Sequence, residues 1–212
     1  MRIIDCEQGT PEWHAARCGR VTGSRIADIV RQTKNGPSKM RATYLGEIVA
    51  ERLAGVQPSD GYVSASMQHG KDNEDAARET YAFVHGIDVV RVGFVLHPTI
   101  DGAGVSPDSL AGKSGLLEIK CPNTITHIQT LRGAPIDPDY AKQIQWGLAC
   151  TGREWADFIS YDPRLPADLA MKVIRVARDA AMIDFLENAV REFLADVDAE
   201  IDALMKLRQV AA

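Results

Sequence analysis

The amino-acid sequence predicts an α/β (α+β) protein: a central mixed β-sheet flanked by helices, built as one domain over residues 1–212. Three observations carry this. A hydrophobic fraction of 45% with 25% charged residues over 212 residues fits a soluble domain with a sizeable core. Short runs rich in Val, Ile and aromatic residues gather in the middle of the chain. Longer segments with apolar residues at helical spacing stand on both sides of them.

The elements follow in order. Residues 11–18 read as a short helix with Pro11 at its start. Thr22-Gly-Ser24 reads as a turn and cap for a helix running to about Gln32. A loop over 34–38 leads to Ser38, a candidate cap, and then to a helix over 39–53 with Met40, Tyr44, Ile48 and Val49 as its stripe. A second loop, Gly55–Gly61, precedes a helix from about Ser66 to His85, which Gly86 stops. Val89–Leu96 reads as a strand. Gly104–Asp108 and Leu116–Cys121 read as short strands joined by a loop over 109–115, and Pro122 ends the second because it lacks a ladder donor. Helices are expected over Thr124–Leu131 and Pro138–Cys150. Trp155–Tyr161 and Leu169–Val176 read as neighbouring antiparallel strands. The tail, from about Asp179 to Leu207, is a long amphipathic helix with Leu186, Val190, Leu194 and Val197 on its apolar side.

Composition narrows the function classes. No apolar run is long enough to span a membrane. The N-terminus has no secretory apolar stretch, so a cytoplasmic protein is expected. The four cysteines form no C-x-x-C pair and read as reduced thiols. A net charge of -5 argues against a general polyanion binder, but a basic lining with acidic outer faces gives the same sum.

Chemistry concentrates in one segment, Ser106-Pro-Asp108, a short gap, then Glu118-Ile-Lys120-Cys-Pro122. Side chains alternate along a strand, so Glu118 and Lys120 project together while Leu117 and Ile119 face the core. Asp108 can sit beside them. Two carboxylates and an ammonium on an apolar sheet are costly to bury unless something satisfies them. A hard divalent ion suits such oxygens, and magnesium keeps waters that can react. Lys120 can then position or deprotonate a water. A salt bridge between neighbouring strands is the competing account of the same triple.

The order Pro-Asp, about ten residues, Glu-x-Lys resembles the PD-(D/E)XK nuclease superfamily, with its restriction-endonuclease-like core. More narrowly, the chain resembles the lambda-type exonucleases and YqaJ-like viral recombinases. Trp13-His-Ala-Ala-Arg17 with Val21-Thr-Gly-Ser24, His69-Gly-Lys-Asp-Asn-Glu74-Asp-Ala-Ala-Arg78, the Asp108 and Glu118–Lys120 segments, Tyr140-Ala-Lys-Gln143-Ile-Gln145 and Tyr161-Asp-Pro-Arg164 occur in that family's order. Each is weak alone; the shared order carries the resemblance. One departure is Ser109, where the family commonly has Gly after the Asp.

The resemblance implies roles. Asp108, Glu118 and the Ile119 backbone carbonyl would bind Mg2+, two ions in all, with Mn2+ able to substitute. Lys120 would act on the nucleophilic water. Glu74 would join the metal site and Gln143 would hold the nucleophile or phosphate region. Arg17, Ser24 and Tyr140 would contact DNA, the first two around the 5′-phosphate of an end. Met67 would be the wedge that parts the terminal base pair. The N-terminal helical part would bind the DNA end. The activity implied is 5′-to-3′ digestion of one strand of linear double-stranded DNA, leaving a 3′ tail for phage-type recombination. A homotrimeric ring around the duplex and a single-strand annealing recombinase as partner are implied too. A ring needs only a modest cationic lining, which reconciles DNA binding with the acidic net charge. Alternatives stay open at this point: an endonuclease of the same fold, or a non-catalytic DNA-binding scaffold. Residue by residue, Glu74 could be a solvated helix position, Arg17 a surface cation, Ser24 a helix cap, Gln143 an exposed polar residue, and Tyr140 and Met67 core packing.

Overall fold

The protein's structure, a computed structural model, describes residues 1–34, 36–56 and 65–210, with side chains described except at 65–67, 71 and 209–210. The helices expected from the sequence form. Helix α1 (Pro11–Arg17) starts where Thr10 accepts from the Trp13 amide at 3.3 Å, with Pro11 at its first position. Helix α2 (Ile26–Val30) is shorter than expected. A 3₁₀ turn over Gly23–Arg25 precedes it, and a small ribbon follows, β3 (Gln32–Thr33) against β4 (Gly36–Pro37). Helix α3 (Lys39–Ala54) buries Tyr44, Ile48 and Val49 but leaves Met40 exposed, so Met40 is off the stripe. Ser38 precedes α3 without a capping bond from its side chain, and its buried hydroxyl has no partner among the described residues. Helix α4 (Ala65–His85) carries Glu74. Asn123 caps α5 (Thr124–Leu131), Asp137 caps α6 (Pro138–Thr151), and the Asp179 carboxylate receives the Met182 amide at the start of α7 (Ala180–Val210).

The single expected sheet is in fact two. One has the order β1-β6-β7-β2: β1 (Arg2–Ile4), β6 (Phe94–Leu96), β7 (Ala103–Val105) and β2 (Val21–Thr22). The other has the order β11-β10-β9-β8-β5: β11 (Met171–Ala177), β10 (Trp155–Tyr161), β9 (Gly115–Lys120), β8 (Ser109–Ala111) and β5 (Val89–Val90). Both are mixed: β10 runs parallel to β9 and antiparallel to β11, and β2 runs parallel to β7.

The split explains three differences from the sequence reading. The run Val89–Leu96 is two strands, one in each sheet, with the break at Gly93. A β-carbon there would lie 2.5 Å from the Ile4 carbonyl oxygen and 2.6 Å from that of Cys6, so the close approach of the N-terminal segment requires glycine. The segment 109–115 is not a loop but the hairpin of β8 and β9, with Ser109 opposite Leu117. Asp108 therefore stands just before a strand rather than ending one. Finally, β1 pairs with β6 although its three residues are mostly exposed and show no apolar alternation to read.

Two cores meet at α6. Trp146 is fully buried with Tyr44, Ile48, Phe193 and Val197 around the four-stranded sheet, and its indole N–H donates to the Gly104 carbonyl at 3.0 Å. Ile144 and Leu148, elsewhere on the same helix, pack on Leu116 and Ala156 of the five-stranded sheet. The opposite face of that sheet, with Leu117, Ile119 and Ile159, packs on Ala77 and Tyr81 of α4. Strand β9 thus lies between a helix layer on each side. Its register with β10 sets Gly115 opposite Trp155 and Lys120 opposite Ser160. A β-carbon at Gly115 would collide with the Trp155 indole.

Candidate active site

The site forms where β8 begins and β9 ends. Alternation along β9 gives the expected division: Leu117 and Ile119 enter the core against α4, and Glu118 and Lys120 point to the other face, toward α6. Glu118 is buried. Its Oε1 accepts from Lys120 Nζ at 2.6 Å and from Gln143 Nε2 at 2.7 Å, so Gln143 ties α6 to β9. Asp108 closes the group from the residue just before β8, its Oδ2 accepting from the Ile119 amide at 2.5 Å. Lys120 lies 4.8 Å from the centre of the Tyr140 ring, a cation–π contact, and Tyr140 stacks in turn on Phe158.

Electrostatics follow from this crowding. Burial, then the Glu118 charge, pushes the Asp108 carboxyl up to about 7, against the pull of Lys120. Glu74 is also raised, first by burial and then by Asp108. Burial alone would lower the Lys120 ammonium, but Glu118 and Asp108 outweigh it and hold the group above the usual lysine range. Lys120 is accordingly a cation and donor here.

Asp108, Lys120 and Tyr140 open onto a cleft of about 750 Å³, whose wall also includes Glu74 and Ile119, while Glu118 and Gln143 stand behind that wall. The far wall comes from α5 and the turn before α6, through residues such as Thr126, Thr130 and Ile136. Among the described residues, no group of three His, Cys, Asp or Glu side chains converges as a ready-made metal cage. Each carboxylate is instead tied to a donor: Asp108 to the Ile119 amide, Glu118 to Lys120 and Gln143, Glu74 to Arg78. Magnesium does not need such a cage, since it keeps waters and takes one or two carboxylates plus substrate phosphate. The donors are all oxygens, and a bound cation would offset both the burial and the Glu118 charge that raise Asp108. The residues fit the ion.

Arg17 and Ser24 are not among the residues lining the cleft. Arg17 is half-buried, with its guanidinium 4.0 Å over the Trp13 ring. Burial lowers its pKa, and among the described residues no ion pair or hydrogen bond engages it. The Trp13 indole N–H donates to Ser106 Oγ at 2.8 Å, and Gln8 Nε2 donates to the Pro107 carbonyl at 2.9 Å, so α1 is pinned to the segment that carries Asp108. Ser24 is exposed in the 3₁₀ turn, and its neighbour Gly23 packs beside Trp146 and Gln143. It is not the cap of α2, which begins at Ile26 without a side-chain cap bond. Met67 lies in α4, with its side chain outside the described residues. Gln145 proves structural: it is buried and bridges the Ala177 carbonyl and the Asp179 amide.

Two features went unassigned in the sequence. Asp162, at the end of β10, is fully buried and accepts from Thr124 Oγ1 at 2.7 Å and from Arg164 Nε at 2.7 Å, while Arg164 reaches the Pro122 carbonyl at 3.3 Å. This clamp holds the turn after Lys120. Arg78, within the Glu74 motif, is buried behind the site. The i, i+4 spacing from Glu74 was its available signal.

Comparisons with known proteins agree with this geometry. A family model described as the YqaJ-like viral recombinase domain matches residues 12–154. The crystal structure of LHK-Exo in complex with dAMP is similar to this chain at a TM-score of 0.88 and 45% identity, covering 96% of this chain and 100% of that one. The same figures hold for the alkaline exonuclease LHK-Exo from Laribacter hongkongensis. A phage related exonuclease from Haemophilus somnus, 13% identical with a TM-score of 0.65 over 87% of this chain and 96% of that one, shares the fold. No curated protein sequence matches. With a family model matching most of its length and a fold that matches the alkaline exonuclease LHK-Exo, the chain belongs to the YqaJ-like viral recombinase family of nucleases.

Proposed function

We propose that the protein is a magnesium-dependent 5′-to-3′ exonuclease that digests one strand of linear double-stranded DNA and leaves a 3′ single-stranded tail. The observation that carries this reading is the buried Asp108–Glu118–Lys120 group, tied by Gln143 and opening on a cleft large enough for a nucleotide. LHK-Exo, 45% identical over its whole length, binds dAMP, and a mononucleotide is what hydrolysis one residue at a time releases.

Bound Mg2+, with Mn2+ as a substitute, supplies Lewis-acid stabilisation of phosphate charge and an activated water. Asp108 and Glu118 would hold it, with Glu74 and the Ile119 carbonyl as further donors. Lys120 would act on the nucleophilic water and offset phosphate charge. Gln143 fixes Glu118 and presents its amide beside it. Tyr140 sets the Lys120 side chain and offers a ring edge to the substrate strand. Arg17 supplies an unengaged cation for the 5′-phosphate, with Ser24 as a hydroxyl donor. Met67 as a wedge, a homotrimeric ring around the duplex, an annealing recombinase as partner and a phage-type recombination role in a bacterial cytoplasm complete the proposal. No helix of the described residues is long and apolar enough to cross a membrane.

One assay tests it: end-labelled linear duplexes with 5′-phosphate or 5′-hydroxyl ends, with and without magnesium, alongside a closed circular duplex. Release of mononucleotides from the 5′-labelled strand, only with magnesium and fastest from the 5′-phosphate, is expected. Cleavage of the closed circle would overturn end dependence, and release of the 3′ label first would overturn the polarity.

A further inference from the structure

Arg78 joins two elements that approach the cleft separately. It lies on α4 one turn after Glu74, and only 8% of it is exposed. Its guanidinium is engaged at every nitrogen. Nε donates to Ser109 Oγ at 2.8 Å, Nη1 donates to Asp75, and Nη2 donates to Glu74 Oε1 and, at 3.4 Å, to the Asp108 carbonyl. Ser109 Oγ donates its own proton to that same carbonyl. Glu74 comes from a helix and Asp108 from the lead-in to β8, and nothing local to either element sets the distance between them. The planar fork does. Lysine, a single ammonium on a flexible stem, cannot make these bonds together.

The same contacts explain Ser109. Serine stands where the resembled family commonly has glycine, and its backbone does not adopt positive φ. Its side chain is fully buried. With glycine, Nε would lose its acceptor. The hydroxyl is therefore an anchor for Arg78, and the departure from the family pattern is a part of the site in this chain.

We propose that Arg78 is a positioning residue, anchored by Ser109, that holds Glu74 and the Asp108 backbone in the relation a divalent cation requires. The inference rests on the reading that these carboxylates hold the ion. Two effects of Arg78 on metal binding oppose each other. Its charge repels a cation, whereas its fork arranges the ligands. Arg78→Lys separates them, because it keeps the charge and removes the fork. Ser109→Ala separates them more gently, because it removes one acceptor and leaves Arg78 in place.

The experiment is titration of Mn2+ into the full-length wild type, Arg78→Lys and Ser109→Ala without DNA, read by water-proton relaxation, followed by kcat and KM on linear duplex. Arg78→Lys should weaken Mn2+ binding by about 10- to 100-fold, as loss of a ligand-orienting partner does. Ser109→Ala should weaken it by about 2- to 13-fold, the worth of one net hydrogen bond. For both, KM for DNA should stay near wild type while kcat falls and recovers in part at higher metal. Unchanged or tighter Mn2+ binding in both variants overturns the assignment, even where the melting temperature drops, since that is a purely structural role. If Arg78→Lys does not fold, Ser109→Ala decides by the same criterion. A wild type that neither binds Mn2+ nor hydrolyses DNA removes the proposed function itself. A wild type that does both, with variants like it, removes only the role of Arg78.

Discussion

The Asp108–Glu118–Lys120 cluster and the Arg17 corner are joined through the Ser106–Asp108 segment, and they treat charge in opposite ways. At the cluster every charged side chain is engaged: Glu118 by Lys120 and Gln143, Asp108 by the Ile119 amide, Glu74 by Arg78. At the corner the Arg17 guanidinium rests on an indole, and among the described residues no carboxylate is paired with it. Glu51 lies near enough to influence it, but its carboxylate is taken by the Gly19 amide at 2.7 Å. Removing one partner of a buried pair leaves an uncompensated charge, whereas removing Arg17 costs only its packing on the Trp13 ring. The difference teaches where the molecule waits for a ligand's charge and where it has rehearsed the ligand's place with its own groups.

Substitutions can break or sharpen this contrast. The largest effect should come from Lys120→Ala, which strips Glu118 of its ion pair and the cleft of its cation. Hydrolysis should fall by about 10²- to 10⁴-fold while binding to duplex ends, measured by fluorescence anisotropy in Ca2+, persists. An active Lys120→Ala protein, free of contaminating nuclease, would dissolve the catalytic half of the comparison. Next is Arg17→Ala. If this cation awaits the 5′-phosphate, the rate advantage of 5′-phosphate over 5′-hydroxyl ends should shrink by about 10- to 150-fold, the worth of a charge-assisted hydrogen bond. The urea midpoint should barely move; a large shift would mean that Arg17 is a structural cation after all.

Ser24→Ala should have the same character at smaller size, about 2- to 13-fold on the 5′-phosphate preference, because one neutral donor is lost. The smallest effect on rate is expected at Asp162, which belongs to the engaged kind of charge but lies beyond the reacting centre. The Arg164 hydrogen bond holds its carboxyl well below the usual range, helped by Thr124. A depressed carboxyl contributes stability that is fully present above its unfolded value, about 3.9, and is lost as pH falls toward the folded one. Asp162→Asn should therefore flatten the loss of stability below about pH 4 in urea titrations across pH 3–7. An unchanged acid limb would show that the clamp contributes no pH dependence.

Much of the site was legible because strand alternation is a strictly local rule. Glu118 and Lys120 on one face and Ile119 on the other follow from period two alone, and helix ends announced themselves through Pro11 and Gly86. What was not legible depends on contacts distant in sequence. The break at Gly93 exists because the Ile4 and Cys6 carbonyls pass it closely, and nothing near Gly93 says so. The hairpin of β8 and β9 was hidden behind a Gly-Lys-Ser-Gly stretch that reads as loop. The bond from Trp13 to Ser106 spans 93 positions. Arg78 was quoted in a motif, yet its role depends on Ser109, which only the fold brings to it.

The collision that a β-carbon at Gly115 would meet on the Trp155 indole has a wider consequence. This contact sits at the first rung of the parallel pair, and it works as a key for the whole strand. Were β9 to slide by one residue against β10, every side chain would change sides. Leu117 and Ile119 would then greet the solvent cleft, and Glu118 and Lys120 would be driven into oil. The chemistry at the far end of the strand is thereby hostage to a residue with no side chain, five places from the lysine, and a mutation at Gly115 would read as a dead enzyme while leaving every reacting group in the sequence.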